Sequence, residues 1–127
     1  MAENIDIVIP AYNEQENIAG VIEGVRRVLG PDCRIIVVDD ASQDKTAQIA
    51  KAQAALLIQH PYHMGNGACV KTGLRHAQSE IVVLMDGDGQ HSPQDIPSLL
   101  SHAQTYDMII GARKFSYFLS RDIANRI

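Results

Sequence analysis

The chain has 127 residues, 46% of them hydrophobic and 20% charged, which suits one globular domain and excludes a disordered tail. Eleven Lys and Arg against fifteen Asp and Glu give a formal charge of −4, so the basic surface of a general nucleic-acid binder is missing and an anionic ligand must be met by local groups. Cys33 and Cys69 are far apart without CxxC spacing, which points to reduced, buried thiols rather than a disulfide framework.

Residues 5–9 form a short apolar run stopped by Pro10, and residues 34–38 and 81–85 are similar runs ending at acidic residues, as buried parallel strands do. Between the first two, Ile18, Val21, Ile22, Val25, Val28 and Leu29 recur on one face of a helix over 17–29. Asn13 and Glu16 have capping-box spacing, and Gly30-Pro31 is its stop.

A second helix is expected over 44–54 behind a Ser42 cap, then a short strand at 56–58. A third helix is expected over 66–77, with Cys69, Val70, Gly73, Leu74 and Ala77 inward. Ser92-Pro93 opens a fourth over 95–102, and 108–110 reads as a fifth strand. This βαβαβαβαβ alternation predicts an α/β fold, a mostly parallel sheet flanked by helices. No apolar stretch approaches the roughly 20 residues that cross a bilayer, and no secretory leader pattern is present, so a cytoplasmic protein is expected.

Ligands of such sheets bind beyond the carboxyl ends of the strands. There, Asp86 and Asp88 stand at i and i+2 in an extended loop and Gln90 continues the series, a set of hard oxygen donors suited to Mg²⁺ or Mn²⁺. Asp-Gly-Asp-Gly is equally the composition of a plain turn. Asp39 and Asp40 have the chemistry to accept from a base N–H and ribose hydroxyls, or to cap the helix that follows.

Tyr12 is either a base-stacking ring or a strand-end aromatic. The segment from His60 to Gly67 is a Gly-rich turn into a helix, where backbone amides can meet phosphate with Lys71 one turn inside, or simply a loop. His60, His63 and His91 lack zinc-site spacing and read as solvated loop histidines.

Four segments in order, 9–14 (Ile-Pro-Ala-Tyr-Asn-Glu), 37–46 (Val-Val-Asp-Asp-Ala-Ser-Gln-Asp-Lys-Thr), 60–67 (His-Pro-Tyr-His-Met-Gly-Asn-Gly) and 85–91 (Met-Asp-Gly-Asp-Gly-Gln-His), resemble family-2 glycosyltransferases of GT-A fold, closest in type to the dolichyl- or polyprenyl-phosphate hexosyltransferases. The resemblance spans residues 5 to about 113. It implies that Pro10, Tyr12 and Glu14 shape the nucleotide pocket, that Asp40 contacts the base with Asp39 beside it, and that Lys71 lies near the diphosphate. It further implies that Asp86, Asp88 and Gln90 hold Mg²⁺ or Mn²⁺.

Gly111-Ala112-Arg113 resembles the family's G-[AS]-R element, which puts Arg113 at the acceptor phosphate, with Arg121 and Asn125 near a second acceptor-side element. Asp88 and Arg113 are then the catalytic residues. Two departures stand out: the family commonly has Gly where Ala41 stands and a small non-Gly residue where Gly87 stands.

The implied organisation is a nucleotide-sugar-binding part over 1–112 and the basic-aromatic start of an acceptor region over 113–127, truncated relative to the family. The implied function is inverting, metal-dependent transfer of a hexose from a UDP- or GDP-sugar to a polyprenyl or dolichyl phosphate at the cytoplasmic face of a membrane. The alternative is a nucleotide-binding or assembly module without transferase activity.

Overall fold

Alternating apolar runs and amphipathic helices build one four-stranded parallel sheet in the computed structural model, which describes residues 5–111. The elements are β1 (Ile5–Ala11), α1 (Ile18–Leu29), β2 (Arg34–Asp39), α2 (Thr46–Ala52), β3 (Leu56–Gln59), α3 (Asn66–His76), β4 (Ile81–Leu84), a 3₁₀ turn (Pro93–Asp95) and α4 (Ile96–Leu100). The strand order is β3-β2-β1-β4, with Ile7 opposite Ile35 on one side of β1 and opposite Val83 on the other. The chain divides into two compact units, Met1–Gln94, which contains the whole sheet, and Asp95–Ile127, which contains α4.

Strand alternation sends Val8, Ile36 and Val38 to one face, where they form a buried cluster with Cys69 of α3. Ile7, Ile9 and Val37, on the opposite face, are wholly buried too. Among the buried polar residues is Asp6, wholly enclosed on β1. It accepts from the Gln78 amide (2.7 Å), the Ser79 amide (3.2 Å) and the Ser79 hydroxyl (2.9 Å), with Arg34 Nε 3.8 Å away. Burial pushes its pKa up, but these donors and the Arg34 charge outweigh that and hold it below the ordinary carboxylate value. The carboxylate thereby ties the α3–β4 turn to β1.

The helix starts differ from the sequence expectation because loop side chains bond across to one another. Asn13 forms no capping box. It takes a left-handed backbone (φ 52°), its amide donates to Ser42 Oγ (2.8 Å), and its Oδ1 accepts from the Gln43 amide (2.9 Å). Ser42 is thus used by the β1–α1 loop, and Asp44 serves the start of α2, its Oδ1 accepting from the Thr46 amide (2.9 Å). Two further expectations fail: Leu74 is 46% exposed on α3, and no strand forms at 108–110, where Met108 and Ile110 are exposed. Three apolar residues without a ladder partner do not hold a strand.

Ala41 also sits in the left-handed region, at φ 62°. An L side chain there costs roughly 1–2 kcal/mol, partly offset by the extra unfolded-state entropy of Gly. Ala41→Gly is therefore expected to stabilise the protein by about 0.5–1 kcal/mol, read as a higher urea midpoint at unchanged m.

Candidate functional site: a cleft at the sheet's switch point

Because β2 and β4 flank β1 on opposite sides, the loops leaving the carboxyl ends of β1, β2 and β4 diverge and leave a crevice between them. The crevice is a cleft of about 290 Å³. One wall carries Tyr12, Glu14, Asp40 and His63, the other carries Asp86, Gly87 and Asp88, and Pro10, Asn66 and Cys69 complete it. The β1–α1 and β2–α2 loops are tied together by the Asn13–Ser42 pairing and by the Glu14 amide donating to Thr46 Oγ1 (2.8 Å), which holds the first wall.

Asp40 is the most heavily bonded side chain of the cleft. Its Oδ1 accepts from His60 Nδ1 (2.8 Å) and the Met64 amide (2.9 Å), and its Oδ2 accepts from the Gly65 amide (2.9 Å). His63 Nδ1 lies 2.9 Å from the same Oδ2. Burial pushes the Asp40 pKa up, but the His60 hydrogen bond, the two amides and the nearby His63 prevail and hold it down at about 2.

His60, in turn, is buried and places its other ring nitrogen 2.8 Å from Thr72 Oγ1 of α3. This corrects the reading of His60 as a solvated histidine: it closes a Thr72–His60–Asp40 chain under the cleft. His63 and His91 are exposed, as expected, at 56% and 42% of their side chains. The position of His60 one residue past β3, at the same sheet edge as Asp40, was the available signal.

Asp40, His60 and Cys69 bring their ligand-type atoms within 4.8 Å of one another. Burial, followed by the Asp40 and Asp39 charges, pushes the Cys69 thiol up to about 12, and its Sγ lies 3.8 Å from His60 Nδ1.

Asp39 and Asp40 part company, because neighbours on a strand project to opposite faces. Asp40 enters the cleft, whereas Asp39 is 1% exposed outside its lining, with Oδ1 lacking a partner among the described residues.

On the opposite wall, the ladder continues past β4: the Met85 amide donates to Val8 O (3.1 Å) and the Gly87 amide to Pro10 O (3.3 Å). A Cβ on Gly87 would stand 3.2 Å from Pro10 O and 3.4 Å from Ala11 Cβ, so this loop approaches β1 as closely as a glycine permits. Asp88 Oδ1 accepts from the Gln90 amide (2.9 Å), an Asx turn completed by Gly89 at φ 79°, and the Asp86 amide donates to His91 Nδ1 (3.1 Å). Asp86 and Asp88 both line the cleft, with Asp88 Oδ1 engaged in its own turn and Asp86 Oδ2 3.7 Å from His91 Nε2.

Gln90 and Lys71 are exposed and outside the cleft lining. Arg113, Arg121 and Asn125 lie outside the described residues. Tyr12 is 40% exposed and its ring is 4.2 Å, centroid to centroid, from that of His63. Asn66, His60 and the Tyr12–His63 pair were not anticipated, since each takes its meaning from a neighbour distant in sequence.

Among curated proteins, the chain is 34% identical over 116 residues to an uncharacterized protein of Methanocaldococcus jannaschii, covering 87% of this chain and 47% of that one. It is 33% identical over 119 residues to an undecaprenyl-phosphate 4-deoxy-4-formamido-L-arabinose transferase of Pectobacterium carotovorum, covering 84% and 36%. Among solved structures, glucosyl-3-phosphoglycerate synthase of Mycobacterium tuberculosis, in complex with Mn²⁺, UDP and glucosyl-3-phosphoglycerate, superposes with a TM-score of 0.68 at 29% identity, covering 80% of this chain and 40% of that one. A mannosyltransferase of Pyrobaculum calidifontis in complex with GDP-Man and Mn²⁺ superposes with a TM-score of 0.63 at 29% identity, covering 67% and 27%.

The chain thus spans less than half the length of these relatives. The parallel sheet flanked by helices is the GT-A fold that the four sequence segments implied. The family model for glycosyl transferase family 2 matches residues 6–125, and the chain belongs to that family.

Proposed function

We propose that this chain carries the donor half of a metal-dependent, inverting hexosyltransferase that moves a sugar from a UDP- or GDP-sugar to a polyprenyl phosphate. The observation that carries this reading is the meeting, in one cleft at the switch point, of Tyr12, Glu14 and Asp40 with the carboxylates of Asp86 and Asp88. The first group has a ring to stack on a base and an acceptor for its N–H; the second has hard oxygen donors.

A cleft lined by Glu14, Asp40, Asp86 and Asp88 repels a diphosphate unless a cation intervenes, so the donor set fits Mg²⁺ or Mn²⁺. Asp86 and Asp88 would hold it, with Gln90, exposed outside the cleft lining, assigned as a third donor. When bound, the ion screens the phosphates and stabilises negative charge on the leaving diphosphate.

Pro10 and Glu14 border the nucleotide, Asp39 is assigned to the nucleotide site as the neighbour of Asp40, and Lys71 contributes charge from α3. The acceptor oxygen attacks the anomeric carbon opposite the departing diphosphate: one C–O bond forms as the bond to the diphosphate breaks, and the configuration inverts. A phosphate acceptor is anionic at pH 7 and needs placement rather than deprotonation. Arg113, Arg121 and Asn125 are assigned that placement, with residues 1–112 serving the donor and 113–127 beginning the acceptor region.

The name of the Pectobacterium relative supports a polyprenyl-phosphate acceptor and hence work at a membrane surface. No helix among the described residues is long and apolar enough to cross one.

Calorimetric titration with UDP and GDP, each with and without Mn²⁺, tests the reading. Metal-dependent binding of one nucleotide is expected. Asp88→Asn is expected to weaken that binding at least about tenfold while leaving the unfolding midpoint within experimental error, since Asp88 bonds only a local exposed turn. Equal affinity of the variant in Mn²⁺ would remove Asp88 from the metal site.

A further inference from the structure

We propose that the imidazole of His63 is a built-in occupant of the base position, which the donor's base must displace, and that His63 thereby sets nucleotide affinity. The inference rests on the reading of Tyr12 and Asp40 as the base subsite. An ionised carboxylate offers about four acceptor positions. Asp40 spends two on Oδ1, for His60 and the Met64 amide, and one on Oδ2, for the Gly65 amide. His63 Nδ1 stands 2.9 Å from Oδ2, close enough to keep another donor from the remaining position.

The His63 ring also covers Tyr12, with centroids 4.2 Å apart and planes tilted by 43°. A flat heterocycle carrying a ring N–H, placed against Tyr12 and at Asp40 Oδ2, describes uracil or guanine as well as it describes this imidazole. While His63 holds that place, neither the acceptor position nor the Tyr12 face on that side is available to a ligand.

The other partners of Asp40 are poor candidates for leaving. His60 is buried and engaged through both ring nitrogens, and the Met64 and Gly65 amides belong to the backbone at the start of α3. His63, by contrast, is 56% exposed in a loop and lines the cleft, so it can swing into solvent without breaking the loop's attachment. A ligand that must expel an occupant binds with its intrinsic affinity reduced by the fraction of time the site is free.

The test pairs calorimetry with NMR of the histidine side chains in the whole chain, using UDP and GDP in Mn²⁺. His63→Ala is expected to bind the preferred nucleotide about tenfold more tightly, which corresponds to a site occupied by His63 about nine-tenths of the time. In the unsubstituted chain, saturation with that nucleotide is expected to move the His63 ring signals away from their ring-current-shifted positions toward those of a solvated histidine, with His60 signals staying near theirs. Equal or weaker binding by His63→Ala, or His63 signals unmoved at saturation, overturns the proposal and leaves the donor-site reading standing. If neither protein binds UDP or GDP while both remain folded, the donor-site reading fails and takes this proposal with it.

Discussion

Asp40→Asn is expected to cost about 2–4 kcal/mol of stability at pH 7 and to abolish nucleotide binding. An amide replaces one acceptor oxygen with a donor, so either the Gly65 amide or the pair formed by His60 and the Met64 amide faces an N–H instead of an oxygen. Hydrogen bonds to a charged group are worth about 1.5–3 kcal/mol each, and a buried donor left unmet costs a similar amount.

The pH dependence is a sharper check. The Asp40 pKa is about 2 in the folded chain against 3.8 ordinarily, so the folded state favours its ionised form. The corresponding stability, about 2 kcal/mol, is fully present above pH 4 and is lost as the pH falls toward 2. Urea unfolding of both proteins at pH 7 and at pH 2.5 should show the gap between them narrowing in acid. A constant gap would mean that the carboxylate's charge contributes nothing.

Gly73→Ala should destabilise the protein by about 1–3 kcal/mol, even though Ala favours a helix interior by about 1 kcal/mol. A Cβ at this position of α3 would stand 2.2 Å from Val8 Cγ1 and 3.3 Å from Val8 Cβ. A different Val8 rotamer relieves the first contact and not the second, so α3 must move away from β1. That motion carries Thr72, Cys69 and Asn66 with it, and nucleotide binding should weaken in parallel. In a Val8→Ala background the same substitution should cost at least about 0.5 kcal/mol less. A stabilising Gly73→Ala, or strict additivity with Val8→Ala, would show that the helix is not held against β1 at this point.

The sheet was legible because its strands are continuous apolar runs and its helices have regular apolar faces; the bounds of β1, β2, α1 and α3 shift by no more than about two residues from the expected ones. What eluded the sequence was decided between segments. Ser42 and Asn13 have the chemistry of helix caps, yet they are 29 residues apart and bond to each other's loops. His60 has the composition of a loop residue, and only the return of α3 beneath Asp40 buries it.

The candidate site shows the same division. Asp40, Asp86 and Asp88 could be named from the chain because they follow the carboxyl ends of apolar strand runs. That Asp39 turns the other way follows from strand alternation, which a motif read as a unit conceals.

The strand order has a kinetic consequence. β1, β2 and β3 pair between neighbours in sequence, whereas β4 must cross back to the far side of β1, pairing Ile5 with Ile81. Closing so long a loop delays that contact relative to the β1–β2 and β2–β3 pairings. The wall bearing Asp86 and Asp88 is therefore expected to assemble last in the cleft, held by four paired residues of β4, by the Asp6 clamp on the α3–β4 turn and by the short ladder through Met85 and Gly87. A ligand that engages both walls acts as a staple across this seam and slows unfolding at the place expected to close last.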